Sequence, residues 1–428
     1  MTLRQNALRL LRTKISNDSF WSVFGNGLGH ALLLLVGILI ARYLGSNLYG
    51  EYGMIKGTMF YIAAFSTFGL GVTSTRYVAK YLAEDPSHVR SIVRDCLCIT
   101  LWVAIALTII ILIIANPISQ WLHEPQLERP LRCLGLIIIC RAIVIVQRGI
   151  LGGLKAYRAS ALNITASGII MLSLSIPLTL ILSLNGALIS LLAAQMANAL
   201  LNHLSIRRRM LRLSGECHRS FVRELLAYSL PVAIQETTFF ISNWGGLLIL
   251  TRYSHFSQVG IYSAASQWQA IILFIPSMLV NVIVSHISSN LHDRPRQRRI
   301  LRTMLRLSLA CTIAVALPVA ALAPWLTTIY GPSYSGMAPV IIALALTALF
   351  SATANVYHSI LVAHGRNWLL LGLRSIRDTV FLGVAILLLT QITALPAALA
   401  YALALLLSTA LFLLLIALCP TSHPSHAQ

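Results

Sequence analysis

The run CLCITLWVAIALTIIILIIA, residues 96–115, decides the class of this protein. It contains no charged side chain, and at about 1.5 Å of rise per residue a helix of this length crosses the hydrocarbon core of a bilayer. Similar runs recur along the chain, and none alternates polar with apolar residues as the strands of a membrane barrel do. We therefore predict an all-α polytopic membrane protein.

About twelve such runs can be distinguished by the length that a bilayer requires. They cover approximately residues 20–44, 52–73, 96–115, 133–152, 160–183, 186–205, 227–250, 261–287, 305–328, 337–362, 369–389 and 395–418. Two gaps are very short, at Ser183–Gly186 and at Thr390–Leu395. We predict a basic N-terminus and two six-helix lobes that a basic linker joins, followed by a tail, at residues 1–19, 20–205, 206–226, 227–418 and 419–428.

The composition agrees with a membrane protein. Hydrophobic residues make up 57% of the chain and charged residues 10%, whereas a soluble protein has roughly 25% charged residues. The net charge of +20 does not predict nucleic-acid binding, because the basic residues lie in short gaps between apolar runs and not on one face. The seven cysteines lie mostly in apolar runs and form no C-x-x-C pair, so we interpret them as small apolar side chains.

Basic residues concentrate in alternate gaps, for example Arg207-Arg208-Arg209 after the sixth run and Arg294 to Arg306 before the ninth. Loops rich in Lys and Arg stay in the cytoplasm. With an even number of spans, both termini are then cytoplasmic. Most of the positive charge is explained by this topology, and no polyanion needs to be invoked for it.

An internal repeat relates the two predicted lobes. Residues 41–52 (ARYLGSNLYGEY) and residues 251–262 (TRYSHFSQVGIY) share Arg, Tyr, Gly and Tyr at matching places, and Ile150-Leu151 and Ile360-Leu361 recur at the same distance along the chain. A repeat of six spans gives both lobes one orientation and relates them by an axis along the membrane normal. We predict a central cavity that opens alternately to each side as the lobes rock.

Three short motifs resemble a known family. Residues 41–53 (ARYLGSNLYGEYG) resemble the start of Wzx-type O-antigen and polysaccharide flippases, in the multidrug/oligosaccharidyl-lipid/polysaccharide (MOP) superfamily. The motif Phe68-Gly69-Leu70-Gly71, with Thr75-Arg76-Tyr77 after it, is similar to the end of the family's second span, and residues 149–155 (GILGGLK) resemble the end of its fourth. These are turn and packing motifs, which mark a fold better than a substrate. The chain departs from the family at residues 155–158 (KAYR) and in the weaker second repeat, at residues 254–257 (SHFS).

The resemblance implies a MATE-like fold in a bacterial inner membrane. It implies a flippase that moves undecaprenyl-diphosphate-linked oligosaccharides from the cytoplasmic to the periplasmic leaflet for O-antigen or another surface polysaccharide. The partners would be that lipid-linked substrate, membrane lipids, a polysaccharide polymerase and a chain-length regulator. The alternative is an ion-coupled antiporter of small molecules of the MATE type. Such a cation exporter needs acids in its cavity, whereas basic residues at membrane depth outnumber acids here.

Several ionisable residues lie within the predicted spans, where a charge at the helix centre costs at least about 2.5–3.5 kcal/mol. Lys56, Arg141, Arg374 and Arg377 are the candidate cavity residues, because guanidinium and ammonium groups attract phosphate. Three of these four also have a structural interpretation: Lys56 and Arg377 can snorkel, and Arg374 can pair with Asp378 at i, i+4. Arg42 and Arg252, at matching places in the repeat, anchor the interface or guide a departing phosphate.

Glu236 is the acid placed deepest within a predicted span, and it follows Pro231. We predict it, together with Asp378, as a coupling-ion site; the alternative for Glu236 is a neutral acid hydrogen-bonded to neighbours of the Gln235 or Asn243 type on other helices. Asn26 and His30, spaced i, i+4 in the first span, either contact sugar or pack against a neighbouring helix. The sequence has no phosphate-binding glycine loop, no H-E-x-x-H and no Ser/His/Asp set, so we predict no enzyme, cofactor or metal site.

Overall fold

The structure is a computed structural model that describes residues 3–121, 128–211, 220–277, 294–363, 366–392 and 394–418. Within these ranges the chain forms helices and turns and no strand. The helices are α1 (Leu3–Ser66), α2 (Leu70–Glu84), α3 (Val89–Trp121), α4 (Glu128–Gly153), α5 (Tyr157–Met210), α6 (Val222–Tyr253), α7 (Phe256–Ile272), α8 (Arg294–Ala321), α9 (Ala323–Tyr330), α10 (Met337–Ala363), α11 (Asn367–Gln391) and α12 (Ala397–Leu418), with short 3₁₀ turns at Pro86–His88 and Pro332–Tyr334.

Seven stretches of helix in the described residues are long and apolar enough to cross a bilayer. The two longest, Gly27–Ser66 in α1 (40 residues) and Tyr157–Met210 in α5 (54 residues), are each about long enough for two crossings. Each contains a residue with non-helical backbone angles: Gly45 (φ 70, ψ 170) in α1 and Ser183 (φ 50, ψ −126) in α5. The break at Ser183 falls in the short gap that the sequence predicts between the fifth and sixth spans.

The chain divides into two compact units. The first comprises Met1–Leu44 and Met54–Phe240, and the second comprises Gly45–Gly53 and Ile241–Gln428. The second unit therefore takes a short segment from the middle of α1. Helix α6 contributes to both, because Phe240 is the last residue of the first unit.

The glycine motifs of the first unit pack α2 against α4. A Cβ atom on Gly149 would lie 2.1 Å from the carbonyl oxygen of Gly71, so neither helix can approach this closely with a larger residue. Thr75 fastens the crossing by donating a hydrogen bond of 2.9 Å to the carbonyl oxygen of Gly149. The motifs at residues 68–71 and 149–155 are thus two sides of one helix contact, which is the packing role that the sequence predicts.

A buried carboxylate secures the start of α6 in the same unit. Asp95 in α3 is 4% exposed and accepts a hydrogen bond of 2.8 Å from the backbone N–H of Phe221, the residue before α6 begins. Arg94 lies 3.1 Å from the same carboxylate. Because the first N–H groups of a helix have no partner within it, an acid here both satisfies a donor and opposes the positive helix end.

The second unit explains the glycines of the internal repeat. A Cβ on Gly50 would lie 1.9 Å from the carbonyl oxygen of Phe256, and a Cβ on Gly260 would lie 1.9 Å from that of Ser46. The two copies of the repeat therefore cross each other at their glycines. The hydroxyl groups of Ser46 and Ser257 share a hydrogen bond of 2.8 Å across the same contact.

Candidate functional site

Three basic side chains lie close together inside the first unit. Lys56 comes from α1, and Arg141 and Arg148 come from one face of α4, about two helical turns apart. Lys56 and Arg141 are near enough to repel each other electrostatically, and so are Arg141 and Arg148. The guanidinium carbon of Arg141 also lies 5.8 Å from the centre of the Phe60 ring. These residues form the first-unit cationic cluster.

Arg141 and Arg148 line a small cavity, whose other described lining comes from α1 and α5. No acidic residue occurs among the described residues of that lining. Polar groups are supplied instead by Ser167, Gln195 and Asn198. The cluster therefore borders a space that is cationic and polar, an environment suited to an anion.

The second unit holds its deep cations differently. Arg377 donates hydrogen bonds of 2.7 Å (Nε) and 2.5 Å (Nη2) to Oδ1 of the buried Asp378, and its guanidinium carbon lies 5.3 Å from the centre of the Phe412 ring. Arg374 contacts Nε2 of His358 at 2.8 Å. We call Arg374, Arg377, Asp378 and His358 the second-unit pair cluster. Asp378 is thus bonded to its chain neighbour Arg377. The sequence leaves open whether Arg374 pairs with Asp378 or lines a cavity, and both interpretations stay predictions.

The two arginines of the repeat differ in surroundings. The Arg42 side chain is exposed, and Arg42 lies near the end of the first segment of the first unit, Met1–Leu44. In the second unit Arg252 lines an open cavity of about 480 Å³ together with Tyr253, His255 and Gln258, and its guanidinium carbon lies 6.0 Å from the centre of the Tyr253 ring. The contact with Tyr253 agrees with a role for Arg252 as an interface anchor. Its position beside the cavity agrees with a role in guiding phosphate.

The structure describes fewer contacts for the remaining candidate residues. Glu236 is partly buried in the first-unit part of α6. Asn26 and His30 are part of helix α1, but their side chains are outside the described part of the structure. The structure brings Lys56 and Arg141 together in one unit and Arg374, Arg377 and Asp378 together in the other.

Sequence reasoning missed four charged or polar residues that line the first-unit cavity. Arg148 could have been found, because it follows Arg141 by about two turns on the same helix face. Ser167, Gln195 and Asn198 could not, since they belong to the next helix, α5, and only tertiary packing shows which of its residues face α4. A polar residue in a span is not by itself a signal, because many such residues bond their own backbone, as Ser190 does.

Two sequence comparisons place the chain. The signature of the family described as "Polysaccharide biosynthesis protein" matches residues 15–289. The succinoglycan biosynthesis transport protein ExoT of Rhizobium meliloti (strain 1021) is 24% identical over 342 residues. That match covers 78% of this chain and 66%, just under two thirds, of the relative's own length.

Solved structures share the fold. An inward-facing multidrug-resistance MATE family transporter of the MOP superfamily superposes with a TM-score of 0.75 at 15% identity, over 91% of this chain and 94% of that one. The lipid II flippase MurJ, in an inward closed conformation, superposes with a TM-score of 0.71 at 15% identity, over 92% and 87%. At these identities the likeness shows the fold alone, and it confirms the predicted polytopic all-α fold of the MATE type.

Proposed function

This chain belongs to the polysaccharide biosynthesis protein family, and on that premise we propose that it translocates undecaprenyl-diphosphate-linked oligosaccharide units from the cytoplasmic to the periplasmic leaflet of a bacterial inner membrane. The resemblance of its motifs to Wzx-type flippases is confirmed by the family match and by the fold of the MOP superfamily. The substrate and the direction are our proposal.

The observation that carries this proposal is the first-unit cationic cluster. A diphosphate head group is strongly hydrated in water, and taking it into an apolar medium without compensation is costly. Lys56, Arg141 and Arg148 offer positive charge inside the first unit, and guanidinium groups match phosphate oxygens with two parallel hydrogen bonds. A transporter whose cargo is an anion requires this sign of charge.

The same observation weighs against the antiporter of small cations. The MATE likeness does not choose between the two functions, because it shows the fold alone. A cation needs a carboxylate or an aromatic face in its path, and the described lining of the first-unit cavity contains no acid. Arg141 also occupies the face of Phe60, the aromatic ring beside the cluster.

The orientation follows from the basic loops, with both termini in the cytoplasm. Energy would come from an ion gradient or from the substrate's own gradient, and for an ion gradient we propose Glu236 as the coupling-ion site. Asp378 is bonded to Arg377, so a coupling role for it would require that pair to open. A polymerase and a chain-length regulator are the proposed partners on the periplasmic side, because they would consume the translocated unit.

The test is a sidedness assay on the full chain in proteoliposomes. A fluorescent undecaprenyl-diphosphate oligosaccharide is placed in both leaflets, and an impermeant quencher reports how fast the inner pool reaches the outside. We expect the wild type to accelerate this exchange, and Lys56→Glu and Arg141→Glu to abolish it. Arg208→Glu, at an exposed position in the last turn of α5, is the matched control and should transport normally.

Two results would contradict the proposal. If exchange with the wild type were no faster than in empty liposomes, the proposed substrate would be wrong. Normal exchange by both reversal variants, at equal protein content, would remove the cationic mechanism. For Glu236, transport by Glu236→Gln that keeps its full response to a proton or Na⁺ gradient would exclude the coupling role.

A further inference from the structure

A cavity of about 90 Å³ lies between α1, α4 and α5, and its described lining belongs entirely to the first unit. Since one water occupies about 30 Å³ of liquid, this space accepts one phosphate-sized group or a few waters. An oligosaccharide unit is much larger than that. The cavity volume therefore fits a phosphate group and does not hold a whole oligosaccharide unit.

Two buried polar atoms of residues that line this cavity have no hydrogen-bond partner among the described residues. One is Nε of Arg141, a charged donor, and the other is Oε1 of Gln195, an acceptor. Leaving a buried polar group unsatisfied costs about 1–3 kcal/mol, and more for a charged one. An occupant that accepts from Arg141 and donates to Gln195 would satisfy both atoms.

A ladder of buried amides supplies another donor. Asn163 donates to Oδ1 of Asn202 at 2.9 Å, and Asn202 donates to Oδ1 of Asn198 at 2.9 Å. All three side chains are buried. The oxygen of Asn198 accepts from Asn202, and its NH₂ group remains a donor that Asn198 can present to the cavity.

The chemistry of these groups selects the ligand. Two guanidinium groups and the Asn198 amide donate, and the described lining provides no carboxylate to compete for them. An oxyanion accepts several such bonds at once, whereas a halide has no hydrogen to give to Oε1 of Gln195. Water satisfies both orphan atoms but brings no negative charge to the Arg141 guanidinium.

We propose that this cavity binds one phosphate group bearing a protonated oxygen, supplied as inorganic phosphate or as a phosphate monoester of a lipid. Its oxygens accept from Arg141, Arg148 and Asn198, and its P–OH donates to Gln195. The site goes beyond the proposed transport function, since it holds the group within one unit and needs no saccharide.

The experiment measures equilibrium binding of radiolabelled inorganic phosphate to the full chain in phosphatidylcholine nanodiscs. We expect one saturable site per chain. Arg148→Gln should weaken binding about tenfold or more, because a charge-assisted contact is lost. Gln195→Glu should weaken it at least as much, because the new carboxylate neutralises Arg141 from within the protein. The melting temperature of Gln195→Glu should be unchanged or raised, which a merely structural role for Gln195 would not give. Arg208→Gln removes an exposed arginine outside the cavity, and this control variant should bind phosphate like the wild type.

Competition distinguishes the two sources of phosphate. Displacement of the label by farnesyl phosphate supports a lipid monoester as the occupant, and binding of the label without such displacement supports free phosphate. Absence of saturable binding, equal binding by Gln195→Glu and the wild type, or full displacement by equimolar chloride would overturn the proposal. Because no translocation is measured, this result is independent of the sidedness assay: either can fail while the other holds.

Discussion

The two units hold their deep cations in contrasting surroundings. In the first-unit cationic cluster, Arg141 and Arg148 border a cavity without a described acid, and Arg141 is repelled by both of its basic neighbours. In the second-unit pair cluster, Arg377 lies directly against the carboxylate of Asp378. A cation that a protein carboxylate already neutralises contributes mainly to structure. A cation beside a polar cavity keeps its charge for a ligand, so arginines within the spans of the two units have different roles.

The sharpest use of this comparison is to neutralise one arginine in each unit. Arg141→Gln should lower the rate of translocation about 10- to 100-fold, because a charge-assisted contact to phosphate is worth about 1.5–3 kcal/mol. Its melting temperature should not fall, since the repulsion from Lys56 and Arg148 is relieved. The sidedness assay and a thermal melt of the same preparation check both expectations. A stability loss with normal transport would place Arg141 among the structural cations.

In the second unit the expected effect is on stability. Arg377→Gln leaves the buried carboxylate of Asp378 without its cation, and Asp378→Asn leaves the cation without its carboxylate. Breaking such a pair costs about 3–5 kcal/mol when it is fully buried. We expect about 2 kcal/mol here, because the Arg377 side chain is 26% exposed. The double variant should lose less than the two single losses combined, as measured by chemical unfolding in detergent. Strict additivity would show that the two side chains are not coupled.

Much of the fold could be predicted from the sequence, because a bilayer imposes one length and one polarity on every span. The breaks within the long helices could be predicted only from finer features of the sequence. The short gap before Gly186 predicts a turn, and the structure has the break at Ser183. The glycines of the repeat predict close packing, but only the structure shows that Gly50 and Gly260 lie against each other's neighbouring backbone, because the sequence does not say which repeat copies meet.

The candidate site was less predictable, for a physical reason. Depth in a span identifies a costly charge, and this singled out Lys56, Arg141 and Arg377. It does not identify what compensates the charge. For Arg377 the partner is the adjacent residue, whereas the groups around Arg141 come from α5 through tertiary packing. Partners brought together by folding leave no local pattern in the chain.

A glycine exchange tests whether the packing within the first unit is as tight as its helix crossing indicates. Gly149→Ala would place a Cβ 2.1 Å from the carbonyl oxygen of Gly71, so α2 and α4 must separate. We expect a stability loss of about 1–3 kcal/mol, the usual cost of overpacking. The control is Gly245→Ala in α6, where no atom lies within 4 Å of the new Cβ. It should be neutral or stabilise by about 0.5–1 kcal/mol. Equal losses for the two exchanges would indicate a general intolerance of alanine and not a specific contact.

The smallest effects are expected at the arginines of the repeat, where the comparison between units can be made at matching positions. Arg42 is exposed, and an exposed charge is worth at most about 1 kcal/mol and is screened by salt. Arg252 lines an open cavity with His255 and Gln258, where screening is less complete. Arg42→Gln should therefore change the translocation rate by less than about twofold and Arg252→Gln by about two- to threefold, both differences shrinking at high salt. Rates measured at low and at high salt decide this. A loss above about tenfold at either arginine would mean that these outer residues, and not the buried first-unit cluster, provide the main attraction for phosphate.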